Sequence, residues 1–299
     1  MAVKLHIIGC GRVGRVLGRL WHEAGTLEIG WVLNRSPASA AEAVDFMGAG
    51  HAVARPGSVA TDDWLMLSVP DGAIGSVAGN LSGQLDAPPR LAFHLSGAAS
   101  SELLRPLAGH VAAVHPVCSF ADPATMLKRF AGCHVLGEGD QDALDLLLPA
   151  FEAIAAQTHR FAPTDKRLYH AATIAASNFL AVIDALALDL AEAGGVDPEL
   201  APVLLLALQR TALDNIAQLG PTQALTGPIE RGDRLAVERL AAAARGLPID
   251  RQECFFALAR ATARLAERKH GADQRPSDAL LDLLPSIRAD GRECADGRV

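Results

Sequence analysis

The sequence contains only five cysteines among 299 residues, at positions 10, 118, 133, 254 and 294. Their number is odd, they are scattered, and they show neither the paired spacing of a zinc site nor the pattern of a disulfide framework. We therefore expect a cytoplasmic protein with reduced thiols and no metal site.

The sequence also lacks an excess of basic charge and a long apolar run. The formal net charge is −7, and acidic and basic residues are interleaved, which argues against nucleic acid or an anionic membrane as a partner. No targeting segment is expected at the N-terminus. The longest apolar stretch, residues 168–183, contains polar side chains and is cut off by Asp184, so it is too short for a membrane span. We predict a buried core helix there.

The length and the 50% apolar content predict two domains. Up to about residue 161, short β-rich runs alternate with amphipathic helical stretches, which is typical of an α/β fold with a doubly wound parallel sheet. Strands are predicted at residues 5–8, 29–33, 64–69, 91–95, 111–114, 133–136 and 158–161, with helices such as 13–24 and 143–156 between them.

After Pro163 the strand signal disappears, and Ala/Leu-rich segments at 165–193, 198–219, 235–245 and 251–269 predict an all-helical domain. The predicted domains are 1–162 and 163–285, followed by a flexible polar tail at 286–299. The apolar character of the helices suggests a homodimer that packs through them.

A glycine-rich turn follows the first strand. Residues 4–14 have the sequence KLHIIGCGRVG, which places a GxGxxG motif between an apolar strand and a helical pattern. Such glycines allow a tight turn, close approach of a pyrophosphate and close helix–strand packing, and the helix N-terminus attracts phosphates. The turn predicts a dinucleotide site formed by Gly9, Cys10, Gly11, Arg12, Val13 and Gly14. The alternative is an ordinary strand-to-helix turn without a ligand.

The end of the second predicted strand bears on the choice of dinucleotide. Where NAD-specific proteins of this type carry an acidic residue, this sequence has Asn34, followed by Arg35 and Ser36. No carboxylate repels a 2′-phosphate there, and Arg35 can pair with it, so NADP(H) is favoured over NAD(H). Alternatively, Arg35 is only a solvated loop residue.

Polar residues follow three further strands, where ligands of open α/β sheets bind. They lie in Ser68-Val69-Pro70-Asp71, in His94-Leu95-Ser96-Gly97, and in His115-Pro116 with Ser119, and of these Val69, Pro70 and Ser96 are also expected to contact the cofactor. Transfer of a hydride to a carbonyl or imine requires a donor to the atom that gains charge, so His115 is the first candidate and Ser96 a second. Alternatively, His115 closes a strand end and Ser96 makes a local turn bond.

The first helix of the second domain carries a polar stripe. Lys166, His170, Thr173 and Ser177 recur at spacings of four, three and four, with Asn178 beside the last. We expect the stripe to face an interdomain cleft and Lys166, His170 and Asn178 to act there. The alternative is a set of hydroxyls bonded back to their own helix. Arg231, in a turn-rich segment, could bind a substrate anion.

Together these motifs resemble one known family. The glycine turn, Asn34-Arg35, the strand ends, Tyr169-His170-Ala171-Ala172 and Leu225-Thr226-Gly227-Pro228 are similar to those of a bacterial family labelled as oxidoreductases. In that family a Rossmann-like NAD(P)-binding domain precedes a C-terminal domain of unknown function. The resemblance extends to about residue 268 and implies a Rossmann-like sheet followed by a helical domain of the 6-phosphogluconate dehydrogenase C-terminal type.

A more distant similarity connects the chain with ketopantoate reductase, pyrroline-5-carboxylate reductase, β-hydroxyacid dehydrogenases and prephenate dehydrogenase. Ser96 and His115-Pro116 resemble residues that bind substrate and accept the hydroxyl proton in the prephenate enzymes. The β-hydroxyacid enzymes have a Lys followed one turn later by Asn, whereas here Lys166 is followed by His170. This departure makes His170 an alternative acid or base.

The leading interpretation is an NADP(H)-dependent oxidoreductase that acts on a small carbonyl, imine or hydroxy compound, possibly anionic, between the domains. His115 and His170 would donate protons, Ser96 would orient the substrate, and Lys166 or Arg231 would bind its anionic group. Two alternatives stay open: a dinucleotide-binding sensor without chemistry, and a deazaflavin-dependent NADP reductase.

Overall fold

The structure is a computed structural model that describes residues 3–270, 278–287 and 293–294. The chain forms two compact units, Met1–Ser177 and Asn178–Val299. We refer to them as the sheet unit and the helical unit. The predicted boundary at 162/163 lies in the connection before the first long helix, and the first turns of that helix group with the sheet unit.

The sheet unit contains one eight-stranded sheet with the order β3-β2-β1-β4-β5-β6-β7-β8. Its strands are β1 Val3–Ile8, β2 Leu27–Leu33, β3 His51–Val53, β4 Trp64–Leu67, β5 Leu91–His94, β6 His110–Pro116, β7 His134–Gly139 and β8 Gln157–Arg160. The order of the first six strands is that of a Rossmann fold, as the resemblance implied.

Helices connect these strands on both faces of the sheet. They are α1 Arg12–Glu23, α2 Pro37–Met47, α3 Ile74–Ser82, α4 Pro123–Arg129 and α5 Gln141–Glu152. The central strands are continuous apolar runs because both of their faces are covered, and every residue of β4 and β5 is buried. Side chains alternate between the faces, so that Leu5 and Ile7 enter one core cluster and Ile8 enters the other.

One pairing of neighbouring strands in this sheet is antiparallel. All other pairings are parallel, but β7 runs antiparallel to β6, with His115 opposite Leu136. The predicted all-parallel sheet therefore differs from the structure here, because an apolar run does not encode the direction of a strand. The reversal brings the start of β7 beside the chain that leaves β6.

The helical unit consists of helices that pack against one another through their buried residues. The helices are α6 Lys166–Ala193, which begins in the sheet unit, α7 Ala201–Ala224, α8 Arg234–Ala244, α9 Ile249–His270 and α10 Asp278–Leu281. A core cluster joins α8, α9 and the segment around α10, with Phe256 fully buried. Gly220 has non-helical angles (φ 73°, ψ 160°) and kinks α7 directly after the predicted helical segment 198–219.

The prediction that residues 168–183 form a buried core helix is wrong. Leu186 is the only buried residue of α6, and Leu168 and Phe179 are 71% and 56% exposed. Apart from Leu186, the apolar side chains of this helix are at most partly covered by the described residues. Within the described residues α6 alone is long and apolar enough to cross a membrane, and one such helix is weak evidence for a membrane protein.

Little of the predicted tail lies among the described residues. Residues 286–287 pair antiparallel with 293–294 as the short strands β9 and β10. The remainder of 286–299 lies outside the described residues.

The prediction that all cysteines are free thiols is also wrong. Cys118 and Cys133 form a disulfide, with a Cα–Cα distance of 6.4 Å. The antiparallel pairing of β6 and β7 explains the contact, because the chain leaving β6 passes the start of β7 and the Val117 N–H donates to the His134 carbonyl at 2.8 Å. Cys10 and Cys254 are free.

Candidate nucleotide and catalytic site

The glycine turn joins β1 to α1 in a geometry that excludes larger residues. Gly9 has a φ of +76°, and a Cβ atom there would lie 2.4 Å from Cγ1 of Val69 and 2.9 Å from the Ser68 carbonyl oxygen. A Cβ on Gly14 would lie 3.0 Å from Oγ of Ser68. The first and third glycines therefore allow the turn to pack against the end of β4.

The N-terminus of α1 is open. Gly11 is its N-cap residue and has no side chain to cap the helix, and a Cβ there would meet no neighbour closer than 3.9 Å. No acidic residue lies in the first turn. Free N–H groups and the helix dipole therefore face open space, as an anion-binding turn requires.

Asn34 supports the turn. The Cys10 N–H donates to its Oδ1 at 2.6 Å, and its Nδ2 donates to the Ser39 carbonyl oxygen at 2.9 Å. Cys10 is fully buried, and burial raises the pKa of its thiol to about 12, so its side chain stays neutral. Both residues shape the turn.

A cavity of about 640 Å³ lies over this turn. Ten of the twelve residues predicted for cofactor binding line it: Gly9, Cys10, Gly11, Arg12, Val13, Asn34, Arg35, Val69, Pro70 and Ser96. Gly14 lies behind the turn. Ser36 instead caps α2, where its Oγ accepts the Ser39 N–H at 3.3 Å.

The cavity is rich in cations. Arg12, Arg15 and Arg35 line it, and Asp71 is the only acidic residue among its lining side chains. Arg35 is exposed and has no hydrogen bond or ion pair to any described residue. The guanidinium of Arg15 lies 5.7 Å from the centre of the Phe46 ring. The sequence analysis missed Arg15, although its place one turn into α1 after the glycines was a signal.

Ser96 lies at the other end of the cavity in a turn held from within. Its Oγ accepts the N–H groups of Ala98 and Ala99 at 3.1 and 2.9 Å. His94 is fully buried, accepts the Ser96 N–H at Nδ1 and donates from Nε2 to the Ser100 carbonyl oxygen at 3.1 Å. Burial lowers the pKa of His94. The local turn bond that the sequence left open for Ser96 is therefore present.

His115 lies at the end of β6, close to this turn. A Cβ on Gly97 would be 2.9 Å from its Nδ1, so the ring packs against the Gly97 backbone. Burial and then the nearby His170 lower the pKa of His115 to about 4, with Lys166 acting in the same direction and Asp71 against it. The imidazole is therefore neutral at neutral pH.

Tyr169, in the first turn of α6, is a residue that the sequence analysis did not select. Its hydroxyl oxygen is 2.8 Å from Nδ1 of His115. Its ring lies 4.6 Å from that of Phe161, and burial raises its pKa. The residues are 54 positions apart, so only the fold brings them together.

Lys166 is engaged in a way that changes its expected role. Its ammonium group pairs with Glu138 of β7 at 2.8 Å and also donates to the Ala99 carbonyl oxygen. Glu138 in turn accepts the Ser101 hydroxyl at 2.9 Å. The cation is thus balanced by a carboxylate that the sequence analysis missed, and it ties α6 to β7 and to the turn after Ser96.

The remaining stripe of α6 divides between two roles. The His170 ring lies 6.1 Å from the His115 ring, and its buried Nδ1 has no hydrogen-bond partner among the described residues. Thr173 donates to the His170 carbonyl oxygen and Ser177 to that of Thr173. These two hydroxyls therefore bond back to their own helix, which was the alternative prediction. Asn178 is exposed and begins the helical unit.

Comparison with known proteins gives two family matches. Residues 1–116 match a family described as a Rossmann-like domain, and residues 133–264 match a domain of unknown function, DUF2520. A search of curated proteins gives no match.

Solved structures with the same fold span most of the chain. Protein TM1727 from Thermotoga maritima is 27% identical and has a TM-score of 0.63, covering 89% of this chain and 100% of that chain. A reductive aminase from Aspergillus terreus, in complex with NADPH and ethyl levulinate, is 18% identical with a TM-score of 0.65, covering 94% and 99%. An imine reductase from Streptomyces aurantiacus is 18% identical with a TM-score of 0.60, covering 94% and 99%.

The last two similarities show the fold alone, whereas the family matches follow the order of domains that the sequence resemblance predicted. Residues 1–116 are similar to a Rossmann-like domain, and residues 133–264, which follow them, are similar to the domain of unknown function DUF2520.

Proposed function

We propose that this protein is an NADP(H)-dependent oxidoreductase that transfers hydride between the nicotinamide and a small carbonyl, imine or hydroxy compound. The observation that carries the proposal is the cavity that extends from the open glycine turn to Ser96, beside the neutral His115. The similar structures of a reductive aminase with NADPH and of an imine reductase support it.

The residues over the glycine turn fit a dinucleotide phosphate. Gly11 leaves room for the pyrophosphate, and the N-terminus of α1 offers N–H groups. The arginines of the cavity favour NADP(H), because Arg35 has no hydrogen bond or ion pair to any described residue and Arg15 lines the same cavity. Asn34, whose side chain is committed to Cys10 and Ser39, supplies no carboxylate for a ribose diol. When bound, the cofactor supplies or accepts the hydride.

The chain supplies the proton and the orientation of the substrate. Neutral His115 can donate a hydrogen bond to the oxygen or nitrogen that gains charge. The Ser96 Oγ accepts two N–H groups, so its own hydrogen can orient the same atom. His170 is a second proton donor near His115 in this proposal. Lys166 is paired with Glu138, so its charge is already balanced within the sheet unit.

The cofactor preference is tested by calorimetric titration with NADPH and NADH. Arg35→Ala should weaken NADPH binding by about 10- to 100-fold, the loss of a charge-assisted bond, while NADH binding changes little. Arg55→Ala, an exposed arginine outside the cavity, is the matched control and should bind both as the wild type does. An equal loss for both nucleotides in Arg35→Ala would contradict the preference.

The chemistry is tested by NADPH oxidation with a panel of small oxo-acids, ketones and cyclic imines. His115→Ala should lower kcat by about 100-fold or more, the usual contribution of a general acid. Undiminished turnover in both His115→Ala and His170→Ala would remove the assigned roles. Tight NADPH binding without turnover on the whole panel would indicate a sensor, and turnover only after addition of a deazaflavin would indicate a deazaflavin-dependent reductase.

A further inference from the structure

His115 forms a hydrogen bond that has no role in the proposed reaction. The His115 ring has a single hydrogen bond within the described part of the chain, from Nδ1 to the Tyr169 hydroxyl at 2.8 Å. The two rings also meet edge to face, with centres 5.7 Å apart. Ser96, Gly97, Glu138, Phe161 and Lys166 surround the pair.

The direction of this hydrogen bond follows from the two groups. The phenol is partly buried, which raises its pKa, so it keeps its hydrogen at neutral pH, and His115 is neutral, so one ring nitrogen is an acceptor. Nδ1 is also the only partner of the Tyr169 hydroxyl among the described residues. If Nδ1 carried the hydrogen instead, the phenol hydrogen would have no acceptor among the described residues. Tyr169 therefore donates.

We propose that Tyr169 is the positioning residue of His115 and fixes the tautomer whose hydrogen is on Nε2. This inference rests on the proposed function, in which His115 donates to the substrate. It identifies Nε2 as the atom that donates to the substrate, and it explains why this nitrogen carries the hydrogen. When the Nε2 proton passes to the substrate heteroatom, the phenol proton passes to Nδ1, so the ring stays neutral. The starting state is restored when Nε2 takes a proton from solvent and Nδ1 returns its proton to the phenolate.

The packing around the ring supports a positioning role. Gly97 admits the ring edge at Nδ1, and Phe161 packs on the Tyr169 ring at 4.6 Å. Lys166, held by Glu138 and the Ala99 carbonyl, anchors the first turn of α6, from which Tyr169 extends. The groups that bear on the charge state of His115 are His170, Asp71 and Lys166.

The first test requires neither substrate nor nucleotide. Long-range ¹H–¹⁵N spectra of protein with ¹⁵N-labelled histidine distinguish protonated from bare ring nitrogens, and the His115 signals are those lost in His115→Gln. We expect a bare Nδ1 and a protonated Nε2 in the wild type at neutral pH. In Tyr169→Phe the fraction of the other tautomer should rise. A protonated Nδ1 in the wild type, or an unchanged pattern in Tyr169→Phe, would overturn the proposal.

The second test uses the fact that Tyr169 is the only tyrosine of the chain. Labelling tyrosine with ¹³C at Cζ gives a single resonance, which should shift in His115→Gln. It should stay in place in His22→Gln, which alters an exposed histidine of α1. An identical resonance in the wild type and His115→Gln would also overturn the proposal. Failure of NADPH binding or turnover would contradict the proposed function but leave both spectra as expected, so the two failures are distinguishable.

Discussion

At the scale of single residues, Gly9 is the position of the glycine turn where a side chain is tolerated least. A Cβ there meets Val69 and the Ser68 carbonyl, and the backbone is left-handed. Gly9→Ala should lower the free energy of unfolding by about 2–4 kcal/mol through strain and overpacking, and should weaken NADPH binding. Urea unfolding and nucleotide titration measure the two effects.

Gly79 provides the control for that substitution. It lies inside α3, and a Cβ there would meet nothing within 4 Å. Gly79→Ala should therefore leave the protein unchanged or raise the free energy of unfolding by up to about 1 kcal/mol. Similar losses in Gly9→Ala and Gly79→Ala would show that the turn is not specially constrained.

Two buried histidines and one partly buried histidine predict how stability depends on pH. The pKa values of His6, His94 and His115 are all lowered, mainly by burial, and that of His115 falls from 6.5 to about 4. As the pH falls below 6.5, the unfolded chain therefore binds protons at these histidines that the folded chain does not yet bind. Stability is complete above pH 6.5 and falls as the pH drops toward 4, and His115 accounts for at most about 3 kcal/mol.

Urea unfolding at several pH values between 7 and 4 measures this dependence. His115→Gln should flatten the curve over that interval, because the group that resists protonation is gone. His22→Gln, which alters an exposed histidine, should keep the wild-type slope. Equal slopes in the wild type and His115→Gln would contradict the lowered pKa.

At the scale of elements, the Cys118–Cys133 disulfide joins the loop after β6 to the start of β7. It closes a loop of 15 residues, so reduction should lower the free energy of unfolding by about 3 kcal/mol. Trypsin cleaves after Lys128 and Arg129, between the two cysteines. Mass spectrometry of an unreduced digest should therefore show two peptides joined by the bond.

The stability effect has its own controls. Cys118→Ser and Cys133→Ser should each lose the joined peptides and reach the stability of the reduced protein. Cys254→Ser, which alters a free thiol, should not. Recovery of both peptides as free thiols from protein purified without reductant would show that the bond does not form.

The elements also show what could be predicted from the sequence. The runs at β1, β4 and β5 were predictable because strands covered on both faces are continuously apolar. The strand β3 was missed because it has three residues and two of them are exposed. The antiparallel direction of β7 and the disulfide that depends on it leave no local pattern.

The candidate site also contains some residues that could be predicted from the sequence and others that could not. The glycine turn was predictable because its three glycines act within one strand–helix connection, and their angles and contacts follow from their spacing. The partners Tyr169 and Glu138 were not, because their bonds to His115 and Lys166 span 54 and 28 positions and need the whole sheet to form. The local glycine motif could therefore be predicted from the sequence, whereas the long-range hydrogen bonds could not.

At the scale of the whole molecule, the exposed apolar side chains of α6 and α7 predict self-association. Leu168 and Phe179 on α6, and Val203, Leu208 and Leu219 on α7, are 48% or more exposed, although soluble monomers rarely show so large an apolar surface. We propose that a second copy of the chain covers them in a homodimer. Light scattering should then give about twice the monomer mass of 31.3 kDa.

Substitution on α7 tests whether these side chains form the interface. Val203→Asp combined with Leu208→Asp places two charges on positions that are 64% and 66% exposed, so the fold of one chain should survive while the dimer dissociates. Asn80→Asp, an exposed position on α3, adds charge elsewhere and should leave the dimer intact. Circular dichroism checks that the helices persist. A monomeric wild type would contradict the homodimer, and a dimeric double variant would exclude these two positions of α7 from the interface.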